Sequence, residues 1–420
     1  MKITPVKYFN SISAACCAAT AYCCMYAIRK PFTILTFDPI LYWGISYKVW
    51  LIIAQVLGYA LSKSIGIKLI SELKPQNRLA FLYIIILVSV ISLFLFAITP
   101  PPYGIACLFF NGLPLGLVWG VVFSYLEGRV LTDVMSVLLA SSFIFSSGFV
   151  KSIASQIMDS GIKPMWVPCI TGLVFIIPFF ISNLLLNHFP GPDEIDIRSR
   201  VVRKPMVKED RIRFFLKNKW IIILLTIVYI LLSVLRDFRD NFAVEILKNF
   251  GKSDLWQIAR IESNVSFILL ITMSMMAIIQ NHLTAIRIIH WIMSAGFLIA
   301  FVSTIGVYRH WVSGVEWYWI VGICIFMGYI PFNSIFIDRL ISVLRHPSNA
   351  GFLMYFMDSA GYLFSVLVMI SKELIKLPIN HAQFFMQMVI SMSVIGFILS
   401  LVSYNSIEKS IHKKWQNITL

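Results

Sequence analysis

Charge is what this sequence has least of. Only 13% of its 420 residues are Asp, Glu, Lys or Arg, about half the ~25% share of a soluble domain, while 59% are apolar. A chain of this length would otherwise suggest two or three soluble domains, and the deficit excludes them. Acidic residues are scarcer than basic ones, 20 against 35, which leaves a net charge of +15. The seven histidines are scattered, mostly near the ends of apolar runs (His188, His282, His310), with no His/Asp cluster for metal or nucleophilic chemistry. Cys16, Cys17, Cys23, Cys24, Cys107, Cys169 and Cys324 all lie in apolar runs without a nearby His or carboxylate. They read as small buried hydrophobes rather than metal ligands. No Walker motif is present, so pumping driven by ATP is not expected of this chain. No cofactor, metal or nucleic-acid partner is expected, and the protein is not expected to be an enzyme. No small-residue cleavage site closes the apolar run that follows Lys2 and Lys7. A retained first helix is therefore predicted.

What is there comes in blocks. Apolar runs of about twenty residues match the ~30 Å hydrocarbon core of a bilayer. Twelve spans are predicted, at 11–31, 48–70, 79–99, 103–126, 134–158, 165–187, 219–241, 257–280, 284–307, 314–340, 349–372 and 381–404. Their length and the lack of period-two alternation argue against membrane strands, which need only ~10 residues. The fold class is an all-α polytopic membrane protein, with twelve transmembrane helices as two six-helix halves. Turns between spans carry breakers, as in Thr99-Pro100-Pro101-Pro102 and His346-Pro347-Ser348-Asn349. One connection differs. Residues 188–218 are polar, hold three prolines and concentrate Arg198, Arg200, Arg203, Lys204, Lys208, Arg211, Arg213 and Lys217. This divides the chain into an N-terminal half (1–187), a cytoplasmic linker (188–218) and a C-terminal half (219–420). With the N-terminus inside, 22 of the 35 basic residues fall on the inner side and 13 on the outer. That bias predicts both termini in the cytoplasm of a multi-pass inner-membrane protein. Faint internal repetition supports the duplication: span four ends in Phe123-Ser124-Tyr125-Leu126-Glu127-Gly128-Arg129 and span ten in Phe336-Ile337-Asp338-Arg339-Leu340.

A few charges stand where a bilayer should exclude them, at a cost of ~2.5–3.5 kcal/mol each on insertion scales. Apolar sequence runs up to Ile28 and resumes at Phe32, so a helix over 8–37 would hold Arg29 in its outer portion. The alternative is that the helix stops at Pro31 and Arg29 and Lys30 reach out to headgroups. Span seven is only 16 residues from Trp220 to Leu235 and must borrow length from Arg236-Asp237-Phe238-Arg239-Asp240-Asn241-Phe242. Arg236 and Asp240 are spaced to pair on one helix face. In span two, Lys63 follows fourteen apolar or neutral residues and either faces a cavity or reaches inward to the headgroups. Spans one and seven open the two halves, so Arg29 and Arg236 are expected across one central cavity, with Lys63 within about ten ångströms, roughly a Debye length. Arg239 is the replacement should Arg236 point elsewhere. Asp240, Asp338, Asp358 and Glu127 are candidates for balancing these cations or carrying a coupled proton. Asp338 has Arg339 as a neighbouring partner. Guanidinium and ammonium groups in a low-dielectric cavity select an anion, either phosphorylated or carboxylated.

These residues resemble the major facilitator superfamily and, within it, the organophosphate:phosphate antiporters. The resemblance rests on Tyr26-Ala27-Ile28-Arg29-Lys30-Pro31-Phe32 in span one and Tyr59-Ala60-Leu61-Ser62-Lys63-Ser64-Ile65 in span two. It rests also on Val228-Tyr229 ahead of Arg236 in span seven. It implies substrate-binding roles for Tyr26, Arg29, Tyr59, Lys63 and Arg236. At the position where those antiporters place a substrate histidine, counted from Ser136-Val137, this chain has Ser142. The sequence also resembles a bacterial family of unassigned membrane proteins of the same type that share Arg-Lys-Pro-Phe and Arg-Asp-Phe-Arg-Asp-Asn. The function expected is secondary transport of a small anionic metabolite by alternating access, by antiport or proton coupling. The protein is expected to act as a monomer in the lipid bilayer. A transporter-like sensor of such an anion, and a membrane enzyme or lipid flippase, are the alternatives.

Overall fold

A computed structural model of the protein describes residues 5–35, 37, 40–127, 129, 131–192, 196, 208–251, 255–279, 281–344, 350–375 and 379–416. Among them, the first half of the chain forms α1 (Pro5–Arg29), α2 (Tyr47–Glu72), α3 (Arg78–Ile98), α4 (Gly104–Leu126), α5 (Thr132–Asp159) and α6 (Val167–His188). A short α7 (Lys208–Lys217) precedes the second half. That half comprises α8 (Lys219–Asn241), α9 (Ala243–Lys248), α10 (Leu255–Ile278), α11 (His282–Tyr308), α12 (Gly314–Ser334), α13 (Phe336–Leu344), α14 (Ala350–Leu374) and α15 (His381–Gln416). Twelve of these helices are long and apolar enough to cross a membrane. They form the two six-helix halves expected. Helices win here because backbone N–H and C=O groups in hydrocarbon have no water to bond and must be satisfied within the segment. Apolar side chains on the outside, such as Ile84, Ile91 and Ile177, stay exposed because lipid is their solvent.

The departures from the expected spans have local causes. Span ten is not one helix over 314–340. α12 starts on a capping box, in which Ser313 and Glu316 satisfy each other's backbone amides, and ends at Ser334 after Pro331. Residues 336–344 form the separate α13. The repeat pairing 123–129 with 336–340 therefore joins a helix end to a helix start. The first helix does not run from 8 to 37 either: α1 ends at Arg29, and Pro31 opens a 3-10 turn over Pro31–Ile34. A two-residue hairpin, Leu41–Tyr42 with Ile45–Ser46, sits in the α1–α2 connection and turns on Trp43 and Gly44, both at positive φ. Among the cysteines, Cys24, Cys169 and Cys324 are buried as expected, whereas Cys16 is exposed and the others are intermediate. Part of the linker (193–195 and 197–207) and the turn at 346–349 lie outside the described residues.

Packing within the first half sets α2 against α4, and α1 against α5 and α6. In the second half α11 packs on α12 and α15, and α8 packs on α14 and α15. The halves meet chiefly through α5 on α10 and α2 on α14. The α2–α4 contact depends on glycine. A Cβ on Gly112 would stand 2.2 Å from the Gln55 carbonyl oxygen, and one on Gly58 2.3 Å from that of Phe109. Small residues that let backbones touch replace the hydrophobic drive that lipid removes. Gly112→Ala is expected to push the two helices apart and cost about 1–3 kcal/mol, the range of overpacked cores. Gly172→Ala, whose Cβ would meet nothing closer than 3.4 Å, is expected to be near neutral. Thermal unfolding of the detergent-solubilised variants checks this contrast; equal melting temperatures would contradict it.

Candidate functional site

Buried charge converges where the halves face one another. α1 ends with Arg29 and Lys30 only 5% and 4% exposed, so neither reaches out to headgroups nor sits in a longer helix. The chain end is held by a polar ladder. Gln55 donates to the Arg29 carbonyl at 2.9 Å and to Asn111 Oδ1 at 2.7 Å. Asn111 donates in turn to the carbonyls of Ile28 (3.3 Å) and Ser89 (3.1 Å). These bonds tie the end of α1 to α2, α3 and α4 and fix where the Arg29 side chain starts. Its guanidinium stacks on Tyr59, 3.9 Å from the ring centre, with Tyr26 at 5.9 Å. Among the described residues it meets no carboxylate and no hydrogen-bond acceptor, and its Nε is buried without a partner.

The other cations are all matched. Lys63 of α2 pairs with Asp358 of α14, and the Tyr229 hydroxyl of α8 donates to the same carboxylate. The Lys63 ammonium also lies 5.3 Å from the Tyr59 ring centre and 5.4 Å from that of Tyr362. Arg236 stacks on Tyr329 at 4.2 Å and on Tyr362 at 5.5 Å. It does not pair with Asp240 as its spacing suggested; its Nε and Nη2 donate to Asp237 Oδ1 at 3.0 and 2.6 Å. Asp240 is already engaged across the interface, by Lys30 at 2.5 Å and by Lys151 of α5 at 2.8 Å, and by the Ser147 hydroxyl. Lys30 also donates to Asn241 at 2.9 Å. Arg239, 1% exposed, donates to Glu262 of α10 at 2.7 Å and stacks on Tyr318 at 4.0 Å. Six cations (Arg29, Lys30, Lys63, Lys151, Arg236, Arg239) thus face four carboxylates (Asp237, Asp240, Glu262, Asp358). Two positive charges are in excess.

This cluster lines two small compartments that share part of their lining. Tyr26, Arg29, Phe143, Arg236 and Tyr362 border both. One compartment adds Tyr22, Tyr59, Lys63, Trp119, Tyr329 and Asn333; the other adds Lys30, Ser147, Asp237, Arg239, Asp240 and Glu262. Arg29, Arg236, Lys63, Tyr26 and Tyr59, separated by up to 210 residues, are therefore brought together, and Arg239 and Asp240 border the second compartment. Asp358 stands behind Lys63. Glu127 lies just past α4 and borders neither compartment. The Asp338 side chain lies outside the described residues, while Arg339 donates to the Ile279 carbonyl. Ser142 turns its hydroxyl onto the Leu139 carbonyl at 2.7 Å and also borders neither compartment.

Several residues were missed that the same reasoning could have found. Lys151 is a lone cation in an apolar run, Glu262 a lone acid, and Gln55 and Asn111 lone amides. Tyr329 and Tyr362 carried no signal, since tyrosines occur throughout such chains.

The chain belongs to a family described as “Family of unknown function (DUF5690)”, which it matches over residues 31–410. No curated protein matches it. Among solved structures it is similar to a D-xylose-proton symporter, with a TM-score of 0.61 at 12% identity, covering 94% of this chain and 97% of that one. It is similar also to a bacterial homolog of the human lysosomal transporter Spinster in an inward-facing, unoccupied conformation, with a TM-score of 0.56 at 12% identity, covering 97% and 99%. At such identity the likeness is one of fold.

The matched pairs make a stability prediction. Arg239→Met alone strands Glu262 and is expected to cost about 3–5 kcal/mol, the range for half of a buried ion pair. Adding Glu262→Leu should restore most of the loss. Melting temperatures of the single and double variants read this directly, and a double variant no better than the single would contradict it.

Proposed function

We propose that this protein is a secondary transporter that moves a small anionic metabolite, phosphorylated or carboxylated, by alternating access. The observation that carries the reading is Arg29: among the described residues, a buried guanidinium without counter-charge, in a tyrosine-lined compartment between two six-helix halves. A cation in that position needs a ligand to complete it. Arg29 supplies a planar fork for an oxyanion, and Arg236 and Lys63 lie beside it and add the charge that holds a second oxygen. Tyr26 and Tyr59 wall the site and keep Arg29 stacked. Arg239, bonded to Glu262 and the Tyr318 carbonyl, is read as part of the scaffold and not as a ligand to substrate.

The fold supports the mechanism because sites between repeats are where alternating access works. Lys30 and Lys151 on Asp240, Lys48 on Glu245, and the Ser46 amide on Glu373 all bridge the halves at the end where α1 finishes and α2 begins. Opening the compartments to that side requires these bridges to part. We read that end as the outer one, with both termini in the cytoplasm and residues 188–218 as the inner linker, on the 22-to-13 division of basic residues. The resemblance to organophosphate:phosphate antiporters supports phosphorylated substrates among those to be screened first.

The purified protein in liposomes tests this with radiolabelled inorganic phosphate, sugar phosphates and dicarboxylates. The wild type is expected to take up at least one. Arg29→Ala should reduce that uptake about 10- to 100-fold, the loss of a charge-assisted bond worth about 1.5–3 kcal/mol. Uptake unchanged in both Arg29→Ala and Arg236→Ala would show that the site is elsewhere. Saturable binding without uptake would favour a transporter-like sensor instead.

A further inference from the structure

Lys63 and Asp358 join the two halves, as Lys30 and Lys151 do with Asp240, but Asp240 holds two lysines and Asp358 one, beside the compartment where Arg29 stacks on Tyr59. Lys63 belongs to α2 and Asp358 to α14. Asp358 is 2% exposed; one oxygen accepts from Lys63 and the other from the Tyr229 hydroxyl. That hydroxyl is 3.0 Å from the Tyr329 hydroxyl and accepts from Asn333 at 3.3 Å. The groups around the carboxylate are thus Lys63 and Tyr59 from α2, Tyr229 from α8, Tyr329 and Asn333 from α12, and Tyr355 and Tyr362 from its own helix. Arg236 stacks on the Tyr329 and Tyr362 rings and is already bound to Asp237. Among the described residues Lys63 is the one ion-pair partner of Asp358.

Resting on the transport reading above, we propose that Asp358 is the proton-binding site of an anion–proton symporter, in which the substrate anion takes Lys63 from Asp358. Arg29 and Lys63 both line one compartment and both lie against Tyr59, at 3.9 and 5.3 Å from its ring centre, and one oxyanion in that compartment is taken to meet both. A carboxylate that loses its only cation in an apolar interior takes up a proton. One proton then passes from water to an Asp358 oxygen as one negative charge of the substrate settles on Lys63. No bond between heavy atoms changes, and the charge of the site is the same before and after. Release runs in reverse: Asp358 gives up its proton, recovers Lys63 and thereby expels the anion. The pair spans the halves, so the empty carrier is clasped by Lys63–Asp358, and the anion and proton together unclasp it. Tyr229 remains bonded to Asp358 throughout, holding the carboxyl within reach of Lys63.

Proteoliposomes loaded with a pH-sensitive dye test this, with inorganic phosphate, glucose 6-phosphate and succinate as the probes. Wild-type protein is expected to acidify the lumen as the accepted probe enters. With the membrane potential held at zero, an inside-alkaline gradient of one pH unit should sustain about tenfold accumulation for one proton per molecule of anion, since one unit is 1.36 kcal/mol. Asp358→Asn should lose both the proton signal and the gradient-driven accumulation, whereas Asp358→Glu, which keeps a carboxyl that can bind a proton, should retain both. Uptake by the wild type without proton movement, or accumulation that survives in Asp358→Asn, would overturn the proposal. Should Asp358→Asn fail to fold, the pH at which uptake is half-maximal in the wild type and in Asp358→Glu decides, and the same pH in both would overturn the proposal. No uptake of any of the three probes by the wild type would overturn the transport reading itself, which is a different result from uptake without protons.

Discussion

A charge held out of water must be answered by another charge, and nearly everything at the centre of this protein follows from that requirement. Lys63, Lys30, Lys151, Arg236 and Arg239 each have a carboxylate within bonding distance. The low dielectric that makes such pairs strong makes an unanswered member costly. Arg29 is the exception, and its environment is built around that fact. Its backbone is pinned by Gln55 and its guanidinium rests on Tyr59, whose π face offers a partial answer of about 1–2 kcal/mol at most. On the proposed reading, the remainder is left for a ligand.

The second consequence concerns the two halves. The pairs of Lys30 and Lys151 with Asp240, Lys63 with Asp358, and Lys48 with Glu245 each take one member from each half. The interface is therefore electrostatic where it borders the compartments. It is also closely packed, as where Gly148 lets α5 lie against Ala259 and Glu262 of α10. A carrier needs contacts between its halves that can be exchanged for contacts with substrate. Ion pairs suit that purpose better than interdigitated side chains, because an anion can take over one partner without a vacancy opening in the packing.

The sequence was most legible where composition carries the signal. Twelve apolar runs interrupted by breakers are enough to find twelve spans, because lipid leaves a spanning chain few other choices. Arg29, Lys63 and Arg236 were legible for the opposite reason, as charges in the wrong solvent. What could not be read was who answers whom. Asp240 was expected to pair with Arg236 one turn away, but its partners come from Lys30 and Lys151, 210 and 89 residues earlier in the chain. The spacing rule for helix pairs describes an isolated helix; here the facing half offers better geometry and Asp237 satisfies Arg236 locally. The end of α1 was misplaced for a related reason. Apolar sequence on both sides of Arg29 suggested one long helix, while Pro31 ended it and the polar ladder through Gln55 and Asn111 paid the cost of burying that end.

The central claim is that Arg29 awaits an anion. Anomalous diffraction from crystals soaked in selenate tests it most directly, since the selenium reports an oxyanion's position without knowledge of the natural substrate. The account predicts a peak within about 4 Å of the Arg29 guanidinium, the spacing of a bidentate Arg–oxyanion contact with oxygens at ~2.8 Å. An Arg29 found bonded to a carboxylate of its own chain, with selenate bound only at the surface, would contradict it.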